Sequence, residues 1–190
     1  MLHLSLIEYI MVAMSKTNKS STKSLISLAL YALMLKNDYD SITVKDICTK
    51  AGVSRMSFYR YFSKKDDIFI DFCDERFEEF YSSIIKDKTH KPEEFTLEMF
   101  KFIKKYHRQI KILQMAHREF LLLDQLNNYA KYILSNMKTA YLTEQRGNTI
   151  FAYFMAGGFF NTLLYWLNTN LKATPEEMNI MLYRMANIKI

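Results

Sequence analysis

Residues 41–65, SITVKDICTKAGVSRMSFYRYFSKK, constrain the fold more than any other stretch, because their punctuation spells helix, glycine turn, short helix. Thr43 and Asp46 have capping-box spacing, which predicts a helix over Val44 to Ala51 with Val44, Ile47, Cys48 and Ala51 on one face. Gly52 ends it, since a sharp turn between crossing helices needs a positive φ, and Val53 plugs the angle behind it. Ser54 then caps a second helix, Arg55 to Tyr61. The periodicity turns Met56, Phe62 and part of Phe58 toward a core and leaves Arg55, Ser57, Tyr59, Arg60 and Tyr61 outward. A helix this short buries little, so its worth lies in its outer face, whose hydroxyls and cations suit base edges and phosphate oxygens. Ser63 with Asp66 repeats the capping spacing for the following helix. Lys64 and Lys65 near that N-terminus oppose the helix dipole unless a phosphate sits beside them. A helical hairpin with a solvated basic rim is the plainer alternative.

The pattern T-V-K-D-I-C-x-K-A-G-V-S-x-x-S-F-Y-R-Y-F-x-x-K resembles the N-terminal helix-turn-helix of the TetR/AcrR family of bacterial transcriptional regulators, over residues 22 to 70. The resemblance implies phosphate contacts from Thr43, Tyr59, Tyr61 and Lys65, with Ser54, Arg55 and Ser57 facing the major groove. Position 61, often His in the family, is Tyr here and offers a hydroxyl; Arg60 stands where the family varies and is a further candidate. It also implies a cytoplasmic homodimer on a double-stranded operator, released by a small-molecule effector, with no cofactor.

Charge distribution agrees with that reading. The net charge is +6, and residues 1–65 carry ten Lys and Arg against four Asp and Glu, whereas the remainder carries sixteen of each. The whole excess therefore accompanies the helix-turn-helix, as an electrostatic footprint for duplex phosphates requires. Four Gly, two Pro and no alternating apolar runs predict an all-α chain, and 49% apolar content is ample for a core. Cys48 and Cys73 lack metal-ligand spacing and read as small core residues of a reducing compartment.

The expected organisation is an N-terminal arm over 1–21, a helix-turn-helix domain over 22–66 and a helical regulatory and dimerisation domain over 67–190. Residues 1–13 lack the basic start of a secretory signal and carry Glu8 within the apolar run; they are either an over-extended gene start or a loose amphipathic arm. A helix from Thr22 to Lys36 should bury Leu25, Leu28, Ala29, Ala32 and Leu33, and a long helix from Asp66 to Lys86 should connect the two domains. The loop at 86–94 marks a boundary, followed by helices over 93–106, 109–117 and 119–138. Their Met and aromatic residues serve equally as core or as lining for an adaptable pocket; Phe100, Met115, Phe120, Tyr129, Tyr153 and Trp166 are the candidate lining.

Residues 147–171 carry no charge and are long enough to span a bilayer, for which about 20 apolar residues suffice. Asn161 and Thr162 in the middle favour instead a helix packed on its own domain on one side and on a second subunit on the other. Thr174, Pro175 and Glu177 begin the last helix. Phe154, Gly157, Gly158, Asn161, Met181 and Met185 are the candidate dimer interface, with a membrane-associated helical protein as the alternative. No catalytic constellation, metal-ligand set or phosphate-cradling glycine loop stands out, so the chain is not expected to be an enzyme.

Overall fold

Local capping decides where most elements begin. The computed structural model describes residues 21–85, 92–136 and 149–186, and every regular element among them is helical. In chain order these are α1 Thr22–Met34, a single 3-10 turn Tyr39–Ser41, α2 Val44–Ala51, α3 Arg55–Tyr59, α4 Asp67–Ile85, α5 Pro92–Met115, α6 Glu119–Asn136, α7 Thr149–Asn168 and α8 Pro175–Ala186. The arm over 1–20 and the core of the expected 86–94 loop lie outside the described residues.

Two compact units result. Among the described residues, the first comprises 21–72 together with 112–118, and the second comprises 73–85, 92–111, 119–136 and 149–186. The first unit thus runs past position 66 and borrows a segment from much later in the chain.

In the first unit α1 packs on α2 and α3. Its buried side is Ile26, Ala29, Leu30, Tyr31 and Met34, rotated from the expected stripe; of the five expected residues only Ala29 is buried, and Leu25 is exposed. After Ser27 the helix is apolar nearly all round, so its pattern names no unique face, and tertiary partners choose one. One such partner is Phe69, whose ring lies 6.1 Å from Tyr31 and 5.4 Å from Tyr39.

The helix-turn-helix punctuation appears as expected. Thr43 and Asp46 form the full capping box at α2, and Gly52 closes that helix at φ 67. Ser54 caps α3 by accepting the Ser57 N–H. At α4 the capping carboxylate is Asp67 rather than Asp66: it accepts the N–H groups of Ser63 at 2.7 Å and Lys64 at 3.0 Å.

The second unit is an aromatic-rich helical core. Phe80 of α4 meets Phe95 and Phe102 of α5, and Phe100 of α5 lies against Phe159 and Trp166 of α7. α6 packs along α7. The expected interruption between 106 and 109 is absent, because KYHRQI contains neither Gly nor Pro and nothing there opposes continuing α5. The helix stops beyond Met115, where His117 adopts φ 51 and the Arg118 N–H reaches back to the Leu113 carbonyl. Thr174 and Glu177 exchange the two bonds of a capping box at α8, as their spacing predicts.

Candidate nucleic-acid interface

The candidate reading surface is assembled from α2, the turn and α3. Phe58 and Phe62 anchor it: both are buried, their rings 5.8 Å apart, so a helix of only five residues is held rigidly from beneath. Above them Arg55, Tyr59, Arg60 and Tyr61 are exposed, with Tyr59 at 55% and Tyr61 at 43%. Neither Arg55 nor Arg60 makes a salt bridge or side-chain hydrogen bond among the described residues, so both guanidinium forks remain available for an anion or a base edge.

The hydroxyls are more committed. Thr43 Oγ1 lies 2.6 Å from Asp46 Oδ2 and accepts the Asp46 N–H at 3.2 Å. The Thr43 hydroxyl, and after it the Thr43 backbone N–H that donates to Oδ2 at 2.9 Å, hold the Asp46 carboxyl below its ordinary range. Ser54 and Ser57 share a hydroxyl pair at 2.9 Å; Ser54 is exposed and Ser57 partly so.

Two side chains sit differently from the sequence expectation. Met56 does not enter the core; it is 78% exposed, on the same short helix as Arg55. A residue at the second position of a capped helix points away from the anchors at Phe58 and Phe62, and treating α3 as two full turns misplaced it. Lys65 is not brought to the exposed face with Arg55 and Tyr59. Its ammonium donates to the carbonyls of Tyr39 at 2.6 Å, Ile42 at 2.8 Å and Asp40 at 3.4 Å, and lies 4.3 Å from the Tyr39 ring centre. Burial, the largest influence on it, lowers its pKa.

Sequence reasoning also missed the polar junction around that lysine. Tyr39 donates its hydroxyl to Asp66, and Arg118 pairs with Asp40, lies 3.7 Å from Asp66 and covers the Tyr39 ring at 4.9 Å. Burial, chiefly, together with the Asp66 bond pushes the Tyr39 phenol pKa far up, so the hydroxyl remains a donor throughout the physiological range. No local pattern ties Arg118 to Asp40, 78 positions away.

The six candidate pocket residues are not brought together. Phe100 and Trp166 are fully buried and meet edge to face, Met115 belongs to the first unit beside Met34 and Tyr39, and Phe120 and Tyr153 are exposed. Only Tyr129 lines a groove in the second unit. Among the described residues no group of three or more His, Cys, Asp or Glu could hold a metal ion.

A capped two-helix head with an exposed cationic and aromatic face defines a helix-turn-helix DNA-binding protein. Sequence comparison agrees: the model for bacterial regulatory proteins of the tetR family matches residues 28–72, and that for a transcriptional regulator C-terminal region matches residues 90–188. The chain belongs to the TetR family of bacterial transcriptional regulators. It is similar to the uncharacterized HTH-type transcriptional regulator YxbF of Bacillus subtilis strain 168, 23% identical over 178 residues, which is 89% of this chain and 46% of that protein. The chain therefore spans about half the length of the curated relative it matches. Its fold is similar to the crystal structure of a TetR transcriptional regulator from Streptococcus agalactiae 2603V, with TM-score 0.59 and 23% identity over 89% of this chain and 94% of that one.

Proposed function

We propose that this chain is a homodimeric, sequence-specific DNA-binding regulator of the cytoplasm, a repressor released from its operator by a small-molecule effector. The observation that carries the reading is the anchored α3, which presents Arg55, Met56 and Tyr59 outward with the guanidinium groups of Arg55 and the adjoining Arg60 unspent. Arg55 and Ser57 read base edges; Tyr59, Tyr61 and Arg60 hold phosphates, and Thr43 and Ser54 add contacts at the two helix starts. Lys65 serves this surface from behind, by fixing the 39–42 backbone, in place of a phosphate contact of its own.

Two heads on one duplex must sit about 34 Å apart to enter successive major grooves, which calls for a dimer. The face for it is on α7 and α8. Ile150 at 83% and Phe154 at 72% exposure continue through Gly158 to Tyr165 as a stripe, with Met181 also exposed on α8. A Cβ on Gly157 or Gly158 would meet nothing within 4 Å, so both lie open to close approach. The polar groups in mid-helix turn inward on the backbone: Asn161 donates to the Gly157 carbonyl at 2.8 Å and Thr162 to that of Gly158 at 2.9 Å. That lowers the cost of burying them against a second copy. The Met185 side chain lies outside those described. α7 is long and apolar enough to cross a membrane, but Ala152, Ala156, Leu163, Trp166 and Leu167 bury one side of it, which favours a second copy over lipid.

Electrophoretic shifts on a selected operator and on scrambled DNA test the reading. Tyr59→Ala is expected to weaken binding to both alike, and Arg55→Ala to erode the preference for operator, by about 1–3 kcal/mol for a lost bidentate contact. Equal binding by wild type and both variants, or binding insensitive to salt, overturns it.

A further inference from the structure

We propose that the groove between α4 and α6 in the second unit binds a lipophilic organic cation, held between aromatic faces and a pair of carboxylates. The groove measures about 410 Å³ and is lined by Asp74, Phe77, Glu78, Gln125, Asn128, Tyr129 and Tyr132. Its floor is aromatic and preorganised: Phe77 and Tyr129 stack at 4.0 Å with planes 1° apart, and Tyr132 stands edge-on to Phe77 at 5.9 Å and to Tyr81 at 5.0 Å. Tyr129 donates its hydroxyl to Asp74 Oδ1 at 2.6 Å, which fixes the ring and the carboxylate together.

Charge selects the occupant. Asp74 and Glu78 stand one helical turn apart on α4 beside these rings, and no Lys or Arg lines the groove among the described residues. An anion is repelled there. A neutral apolar molecule would cover two carboxylates without compensating them, at a desolvation cost. A flat or quaternary cation satisfies the carboxylates and the electron-rich ring faces at once. A hydrated metal ion gains nothing from the rings. The size suits a small drug-like molecule, since ligand clefts start at about 300 Å³. The binding stands on this geometry alone; its use as the effector site rests on the regulator reading above.

The probe is thioflavin T, a benzothiazolium cation whose emission rises when its rings are held, compared by calorimetry and fluorescence with the uncharged benzothiazole lacking the ring N-methyl group. Saturable binding of the cation is expected, with the uncharged analogue at least about tenfold weaker. The double substitution Asp74→Asn with Glu78→Gln should remove that difference while circular dichroism and melting are unchanged. Tyr132→Leu, which keeps an apolar side chain and removes the ring, should weaken the cation severalfold and serves if the double variant misfolds. Phe154→Glu, on the α7 stripe, should leave dye binding intact. Absence of saturable binding, equal affinity for the two dyes, or a double variant that binds like wild type overturns the proposal. DNA shifts run on the dye-free protein separate the readings: retained operator binding without dye binding removes only the groove, and the converse removes only the regulator.

Discussion

Met56 shows how a single side chain alters the chemistry available to a reading helix. A methionine 78% exposed beside Arg55 is unexplained by packing, yet a flexible thioether suits the thymine methyl that protrudes into the major groove. We expect Met56→Ala to lose about 1 kcal/mol of preference for one thymine position, and replacement of that thymine by deoxyuridine to produce the same loss for the wild type and none for the variant. Binding assays on the substituted operator check this. The outward Arg55, Tyr59, Arg60 and Tyr61 were legible because Phe58 and Phe62 set the phase of the helix. Met56 was not, since an apolar residue in a five-residue helix satisfies several phases. Lys65 illustrates the opposite limit: its position beside a helix N-terminus suggested an anion, but three carbonyls 23 to 26 residues earlier in the chain take its ammonium.

At the level of elements, starts and stops were the best-read features, because capping is chemistry between neighbours in sequence. Gly52 is the clearest case, at φ 67 with nothing within 4 Å of the place a Cβ would take, so its cost on substitution is backbone strain alone. Gly52→Ala should destabilise the fold by about 1–2 kcal/mol, lowering the melting temperature by a few degrees in calorimetry. α5 marks where this legibility ends: no Gly or Pro interrupts residues 106–109, so the helix runs straight through them with Ile103, Ile110 and Leu113 buried along it, and local polarity alone did not announce that continuity. Glu79 makes a further cross-helix link, bridging α4 to Lys105 at 2.7 Å and to the Tyr106 hydroxyl at 2.7 Å on α5, with Arg76 at 3.0 Å. Burial alone would raise its carboxyl pKa, but the bonds from Lys105 and Tyr106 and the Arg76 charge outweigh that and hold it below 4.5. A depressed carboxyl pKa means the folded state binds fewer protons than the unfolded one. Its contribution to stability is therefore present above about pH 4.5 and lost as pH falls through the folded value. Glu79→Gln should flatten the acid limb of stability against pH, as measured by urea midpoints between about pH 3 and 6.

For the molecule as a whole, the all-α class and the basic head followed from composition and charge, whereas the groove between α4 and α6 did not, because Phe77 comes from a helix far in sequence from the one that carries Tyr129 and Tyr132. The proposed dimer face rests on the uncharged 147–171 stretch, since a helix apolar on all sides needs two partners. Phe154→Glu is expected to yield a monomer in sedimentation velocity and to lower operator affinity steeply, while random-DNA binding by each head persists. A Phe154→Glu protein that still sediments as a dimer removes the stripe from the interface. The borrowed segment 112–118 has a practical corollary for protein engineering. Cutting the gene after codon 72 would strip Leu113 and Ala116 from the base of the head and deprive Tyr39 of its arginine lid. Any chimera that transplants this head onto a different C-terminal domain must therefore graft seven residues from the middle of the chain along with it.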